Sequence, residues 1–297
     1  MEIIDAQVHA PHPGRPLDEA YGEELAYVMG IELAREAMDS VGVDVAVFTD
    51  TLLWIERAVQ MYPDRFGGSL QYDPNTPDPD TYIARLRQMP GLVSIRLPVT
   101  NWQTMGVREP FASGQLEPTI VAAEHQGMPI FFSASANAKA LEPVAQKHPG
   151  LTMVLDHLGL PSPPPQGPAA PDLWAALPDV VALAKYPNVS LKFTGVTCLS
   201  EEAYPYQDLW PRLNPIIEAY GPDRLIWGSD FTRLRMGWGS LEQGPRDKWA
   251  GLYSDNVHFL LDTTELSQSD KEKIFAFTIR RVLEWPKMVS ADGVMHR

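Results

Sequence analysis

Short apolar runs recur along this chain and are separated by longer segments with helical periodicity. Several of these runs are continuously apolar or β-branched, which is typical of parallel strands buried on both faces. Glycine or proline stands at most of the junctions, where it would end one element and start the next. The pattern predicts eight strands, at residues 3–8, 43–49, 67–72, 93–97, 130–133, 152–156, 189–193 and 225–228.

Amphipathic segments follow almost every predicted strand and indicate helices. Eight alternating units favour a closed (β/α)8 TIM barrel, in the α/β class, over an open doubly wound sheet. No shift in composition marks a second domain, so we expect a single domain over residues 1–297. The predicted helices span residues 31–40, 54–62, 79–88, 117–126, 138–147, 171–185, 208–219, 249–261 and 269–285, the last with a capping box at Ser269 and Glu272.

Polar residues lie at the ends of three predicted strands, where a barrel of this kind displays its reactive groups. Asp230 ends the eighth strand and His157 the sixth. On the first strand Asp5, Gln7 and His9 alternate, so all three share one face and point into the barrel if Asp5 does. Buried polar groups must form hydrogen bonds with other protein groups or contact a ligand, which makes these residues functional candidates. The alternative is that Asp5 and Gln7 cap the barrel bottom and His9 lies in a loop.

Two cationic residues, Arg96 and Lys192, lie inside apolar strands. A buried cation needs a carboxylate partner or an anionic ligand, so two interpretations stay open: a structural ion pair, or a clamp for a substrate carboxylate. Arg233, just beyond Asp230, is a third candidate for that clamp. Asp156 precedes His157 and is expected to point away, holding the strand or a helix terminus.

The charge of the chain narrows the range of partners. A formal net charge of −14 argues against nucleic acid or an anionic membrane, since both need clustered Lys and Arg, but it allows a small anionic substrate. Cys198 is the only cysteine, so a reducing compartment is expected. With no basic leader and no apolar run of about 18 residues, we expect a soluble, cytoplasmic protein. A homodimer is the commonest closed assembly for such a chain.

Four segments of this chain carry a family resemblance: residues 3–9 (IIDAQVH), 155–159 (LDHLG), 192–195 (KFTG) and 221–230 (GPDRLIWGSD). Together they resemble the amidohydrolase superfamily, specifically amidohydrolase family 2. The similarity is greatest to the branch with 2-pyrone-4,6-dicarboxylate lactonase, sulfomuconolactone hydrolase and fuconolactonase-like proteins. It spans nearly the whole chain in the correct order and implies the same barrel that the pattern predicts.

The first segment departs from the family pattern. Members of the family usually carry Asp-x-His-x-His there, and the histidine pair binds a divalent metal. Here Gln7 stands at the first histidine position and His9 at the second. Glutamine is a weak neutral ligand, far poorer than imidazole for zinc. The resemblance therefore leaves two schemes: one zinc or manganese ion on His9, His157 and Asp230, or no tightly bound metal, as in lactonases of this branch that need none.

In the metal-free scheme, which we favour, the resemblance implies that Asp230 is the general base that activates water and later protonates the leaving oxygen. His157 and His9, with Gln7, would polarise the carbonyl and stabilise the developing oxyanion. One of the three cations named above would bind a substrate carboxylate. Gln7 suits this scheme because an amide donates hydrogen bonds well but binds zinc poorly.

We therefore expect a hydrolase that opens a lactone or similar cyclic ester of a carboxylated small molecule, of the type met in aromatic compound degradation. One alternative is a mononuclear metal-dependent hydrolase or a non-oxidative aromatic-acid decarboxylase of the same superfamily. Another is a barrel that binds a ligand without chemistry. Loss of the first histidine suits that second alternative, whereas retention of Asp230 and His157 does not.

Overall fold

The computed structural model describes residues 1–10, 22–161, 172–232 and 252–285. Eight strands form one sheet in chain order, and every neighbouring pair from the first to the eighth runs parallel. Each predicted strand is present, with ends that differ by at most two residues. The strands are β1 Ile4–Val8, β2 Val45–Asp50, β3 Phe66–Gln71, β4 Leu92–Pro98, β5 Ile130–Ser133, β6 Met153–Leu155, β7 Val189–Thr194 and β8 Leu225–Gly228.

The first and last strands meet and complete the barrel. The N–H of Asp230 donates to the carbonyl oxygen of Gln7 at 2.9 Å. A Cβ atom on Gly228 would lie 3.3 Å from the nitrogen of Gln7, so the two backbones are in close approach. The predicted (β/α)8 TIM barrel is confirmed.

Helices cover the outside of the sheet. They are α1 Glu23–Val41, α2 Leu52–Met61, α3 Pro79–Arg87, α4 Glu109–Ala112, α5 Glu117–Gln126, α6 Glu142–Lys147, α7 Leu177–Ala182, α8 Trp210–Tyr220, α9 Tyr253–Leu261, α10 Gln268–Glu272 and α11 Thr278–Val282. Short 3-10 turns lie at Ala138–Leu141, Asp156–Gly159, Leu183–Lys185, Val196–Leu199, Gln207–Leu209 and Pro222–Arg224. Within the described ranges, no helix is both long enough and apolar enough to cross a membrane.

Side chains of the strands form two apolar layers, one against the helices and one inside the barrel. Two successive glycines of β3 show how tightly both layers pack. A Cβ atom on Gly68 would fall 2.1 Å from Ile55 of α2, whereas one on Gly67 would fall 2.6 Å from the Trp285 ring. Larger residues at these positions would therefore push β3 away from its neighbours on either face.

The C-terminal segment closes the barrel at the N-terminal ends of the strands. Ile279 and Trp285 belong to the same buried cluster as Ile4 and Ile226. The predicted single helix at 269–285 is wrong in detail, because a π-helical turn, Lys273–Phe277, separates α10 from α11. The capping box also lies two residues earlier than predicted, between Ser267 and Asp270, since the helix begins earlier.

Candidate active site

Side chains from β1, β7 and the ends of β6 and β8 converge at the C-terminal end of the barrel. Gln7, Lys192 and Asp230 are 0% exposed, His157 is 1% exposed and His9 is 3% exposed. Contacts of 2.7–3.8 Å join them into one continuous group. The barrel thus brings together residues that the sequence places on four separate strands.

Asp5 does not share the surroundings of Gln7 and His9. The pairing of β1 with β2 shifts after Asp5, which interrupts the strict alternation of side chains. The Asp5 carboxylate instead accepts the N–H groups of Gln7 at 3.0 Å and Ser229 at 2.8 Å. It also accepts the hydroxyl groups of Ser229 and Tyr253. The prediction that all three alternating residues point the same way is therefore wrong for Asp5.

The role of Asp5 is to hold the end of β8. Burial raises the pKa of Asp5, although the hydrogen bonds from Ser229, Gln7 and Tyr253 act in the opposite direction. Four donors around one carboxylate fix Ser229 in place, and Ser229 directly precedes Asp230. Asp5 thereby anchors the backbone from which Asp230 projects.

Asp230 has a left-handed backbone conformation, with φ at 54°. This conformation is uncommon for a residue with a Cβ atom and costs about 1 kcal/mol. The hydrogen bond from its N–H to Gln7 holds it there. One carboxylate oxygen lies 3.4 Å from His9 Nε2 and the other lies 3.8 Å from His157 Nε2. Each oxygen of Asp230 thus faces one imidazole ring.

His157 lies in a left-handed turn just after β6, with φ at 53°, and Gly159 ends the turn at φ 67°. Its Nδ1 atom is 3.3 Å from the carbonyl oxygen of Thr194. A carbonyl oxygen can only accept, so Nδ1 carries the proton and Nε2 presents a lone pair. Burial lowers the pKa of His157 to about 4. Arg96 and Lys192 also lower this pKa, whereas Asp156 raises it. The ring is therefore neutral at pH 7.

Asp156 points towards the site rather than away from it, contrary to the sequence prediction. Its carboxylate is fully buried and pairs with Arg96 Nε at 2.6 Å and with Lys192 Nζ at 2.6 Å. Burial alone would raise the pKa of Asp156, but the two cations outweigh it and the pKa is lowered. The register of the parallel strands explains the contact, because β6 and β7 place Asp156 and Lys192 side by side.

The ion-pair interpretation of the two buried cations therefore describes what the structure contains. Lys192 is wholly buried, and its ammonium lies 4.0 Å from the centre of the Phe131 ring. Burial lowers the pKa of Lys192, and Asp156 opposes that shift. Arg96 uses only Nε for its pair, and its two terminal nitrogens make no hydrogen bond to any residue in the described ranges. Those two nitrogens are the part of the cluster that is able to bind an anionic group.

Gln7 connects the ion pairs to the histidines. Lys192 Nζ donates to Gln7 Oε1 at 2.7 Å, which identifies the amide oxygen because an ammonium group cannot accept. The amide nitrogen therefore faces His9 Nε2 at 3.3 Å and His157 Nε2 at 3.4 Å. His157 Nε2 accepts one of these hydrogen bonds. His9 Nε2 either accepts the other or donates to Asp230, depending on its proton.

The donor set does not fit a divalent metal ion. His9, His157 and Asp230 surround the place where such an ion would bind, but the amide nitrogen of Gln7 also points there, and an amide nitrogen is not a metal ligand. The ammonium of Lys192 behind it adds a repulsive charge. No group of three or more His, Cys, Asp or Glu in the described ranges has a spacing suited to a metal.

One predicted site residue, Arg233, lies outside the described residues. Trp102, on the loop after β4, meets the His157 ring edge-on, with ring centroids 6.2 Å apart.

Sequence reasoning missed the part that Asp156 plays. The signal was present, because Arg96 and Lys192 both required a carboxylate and Asp156 ends the strand beside Lys192.

Two curated proteins match segments of this chain. L-Fucono-1,5-lactonase of Burkholderia ambifaria is 36% identical over 101 residues, which cover 33% of this chain and 32% of that protein. 4-Sulfomuconolactone hydrolase of Hydrogenophaga intermedia is 28% identical over 127 residues, which cover 42% of this chain and 37% of that protein. The matched segments thus span about a third of the length of each relative.

A solved structure extends the likeness to the whole fold. An amidohydrolase of Burkholderia multivorans with bound zinc superposes with a TM-score of 0.71 and 16% identity, over 96% of this chain and 100% of that one. At that identity the match speaks for the fold alone. The family model described as Amidohydrolase matches residues 4–285 and so covers nearly the entire chain. This barrel, with its polar groups at the strand ends, therefore belongs to the amidohydrolase family.

Proposed function

We propose that this protein hydrolyses a lactone that carries an anionic group, using a water molecule activated by Asp230. The observation that carries this proposal is the position of Asp230: a buried carboxylate, at the C-terminal end of the barrel, whose two oxygens each face an imidazole. The named activities of two relatives support the reaction class, since both are lactone hydrolases.

The reaction needs one group that first accepts and then returns a proton. Asp230 accepts a proton from water as the water oxygen attacks the lactone carbonyl carbon. When the ring C–O bond breaks, Asp230 returns that proton to the leaving ring oxygen. One water is consumed, and the product is an open-chain hydroxy acid. The Lys192 ammonium and the Asp230 carboxylate attract each other within the buried cluster, which also contains the ion pairs of Asp156 with Arg96 and Lys192.

The groups around Asp230 divide into donors and acceptors. His157 is an acceptor in the neutral resting site, because its Nδ1 proton is directed to Thr194 and its Nε2 faces Gln7. The expected role of His157 in polarising the carbonyl therefore passes to Gln7 and His9, which are able to donate to the carbonyl oxygen. The hydrogen bond from Lys192 polarises the Gln7 amide and makes its N–H groups better donors.

Arg96 is the group we assign to the anionic substituent of the substrate. Its two terminal nitrogens form a planar fork that matches a carboxylate or sulfonate, and Asp156 holds the guanidinium in place through Nε. The net charge of −14 favours release of an anionic product. The Arg96 guanidinium still gives the site a preference for substrates with an anionic substituent.

The decisive experiment compares Asp230→Asn with the wild type on L-fucono-1,5-lactone and 4-sulfomuconolactone, with and without a chelator. Loss of the base should lower kcat about 10²–10⁴-fold, while ligand affinity stays within a few-fold. The exposed Asp64→Asn substitution is the matched control and should leave kcat unchanged. Unchanged turnover in Asp230→Asn would refute Asp230 as the base, and turnover abolished by the chelator would refute the metal-free scheme.

A further inference from the structure

The amide nitrogen of Gln7 lies between the Nε2 atoms of two histidines. Its nitrogen is 3.3 Å from His9 Nε2 and 3.4 Å from His157 Nε2, and all three side chains are buried. A primary amide carries two N–H groups spread in one plane, so one nitrogen can serve two acceptors. A divalent ion bound by both histidines would need the same two lone pairs.

Lys192 determines which end of the amide faces the histidines. Its ammonium lies 2.7 Å from Gln7 Oε1 and 2.6 Å from Asp156, and it contacts the Phe131 ring. With 0% exposure it has no solvent to turn towards. A rotated amide would place its N–H groups against the ammonium, donor against donor, so the orientation is held by the cost of leaving one N–H of the buried ammonium without an acceptor.

We infer that the Lys192–Gln7 pair occupies the place of a metal ion between His9 and His157, with Lys192 as the positioning residue. The amide nitrogen lies within hydrogen-bonding distance of both Nε2 atoms, which an ion would need as ligands, and the ammonium repels a second cation. The site is then kept in one arrangement by protein hydrogen bonds instead of by coordination. This inference rests on the same site as the proposed function, but it concerns the resting protein and needs no substrate.

The test measures Co²⁺ binding by absorbance and calorimetry in the full-length protein. Gln7→Glu keeps the shape and the bond to Lys192 but replaces the amide nitrogen by an oxygen that binds metal. We expect one Co²⁺ per chain, bound about 10–100-fold more tightly than by the wild type, in line with the size of other changes around metal ligands. Gln60→Glu, on the exposed face of α2, is the matched control and should behave as the wild type does.

Lys192→Met tests the positioning role, because it frees the amide to turn its oxygen towards the histidines. Co²⁺ binding should appear in Lys192→Met and be absent in Lys192→Arg, which restores the buried donor. Tight stoichiometric Co²⁺ binding by the wild type would overturn the inference, as would folded Gln7→Glu and Lys192→Met proteins that both remain metal-free. If a variant does not fold, the ¹⁵N shifts of the wild-type His157 ring decide, since a proton on Nε2 contradicts the arrangement.

These results are separable from the proposed function. Hydrolysis that depends on Asp230 can persist while the wild type also binds Co²⁺, in which case only the inference fails. A protein that excludes Co²⁺ through Gln7 but shows no lactone hydrolysis leaves the inference intact and removes the proposed function.

Discussion

At the scale of single residues, the site depends on a few buried charges that compensate one another. Asp156 faces Arg96 and Lys192, and Lys192 in turn fixes Gln7. Removing one member of such a cluster leaves a buried charge unpaired, which typically destabilises a protein by 3–5 kcal/mol. Arg96 differs from Lys192 because its terminal nitrogens make no hydrogen bond to a described residue, so they can bind a ligand.

Arg96→Met should weaken the binding of anionic lactones selectively. A charged hydrogen bond contributes about 1.5–3 kcal/mol, so KM for 4-sulfomuconolactone should rise by about 10–100-fold. KM for the uncharged L-fucono-1,5-lactone should change only a few-fold. Steady-state kinetics on both substrates measure the difference, with the exposed Arg212→Met as control. Equal effects on the two lactones would show that Arg96 serves the ion pair alone.

At the scale of elements, the ends of β1 and β8 form one unit. Asp5 in β1 accepts hydrogen bonds from Ser229 after β8 and from Tyr253 at the start of α9. The N–H of Asp230 returns a bond to Gln7. This reciprocal bonding is what keeps Asp230 in its left-handed conformation, since neither strand alone could hold a strained residue.

Tyr253→Phe should loosen this unit. The loss of a buried donor to the Asp5 carboxylate is expected to lower the free energy of unfolding by about 1.5–3 kcal/mol, and kcat should fall with little change in KM. Urea denaturation and kinetics give the two readings. Tyr204→Phe is a close control, because Tyr204 also donates to a carboxylate, Asp262, but on the surface. Equal loss of stability in both variants would argue against a special role for the buried contact.

At the scale of the whole molecule, the buried site makes stability depend on pH. The folded-state pKa of His157 is about 4, below the ordinary value of 6.5, because burial disfavours the charged ring. The unfolded chain therefore binds more protons between these two pH values. The contribution of the neutral His157 ring to the free energy of unfolding is complete above pH 6.5 and is lost as the pH falls through 4. The raised pKa of Asp5 has the opposite effect on stability, because the folded protein binds the Asp5 proton more tightly than the unfolded chain does.

The contribution of His157 should amount to about 3 kcal/mol, since each unit of pKa shift corresponds to roughly 1.4 kcal/mol. We expect wild-type stability to fall between pH 6.5 and pH 4 more steeply than that of His157→Gln. Urea midpoints across this range measure the two slopes, and His125→Gln, an exposed histidine, should keep the wild-type slope. Identical slopes in the wild type and His157→Gln would contradict a neutral buried ring.

The barrel itself could be predicted from the order of residues along the chain. Buried parallel strands and amphipathic helices have local periodicities, and glycine and proline mark their ends, so no long-range information was needed. The family motifs were readable for the same reason. Local order also placed Gln7, His157 and Asp230 at strand ends, and parallel strands in a barrel bring those ends together.

The partners of each side chain were decided only by the tertiary structure. Lys192 and Gln7 are 185 residues apart in the chain, and Arg96 and Asp156 are 60 apart. Their contacts depend on strand register, and the shift in β1 turns Asp5 away from its expected neighbours. The left-handed turns at His157 and Asp230 are stabilised by hydrogen bonds that these residues donate to carbonyl oxygens of other strands. The order of residues along the chain thus determines which groups reach the C-terminal end of the barrel. The packing of the strands determines how these groups are paired, because contacts between distant residues form only when the strands have their final register.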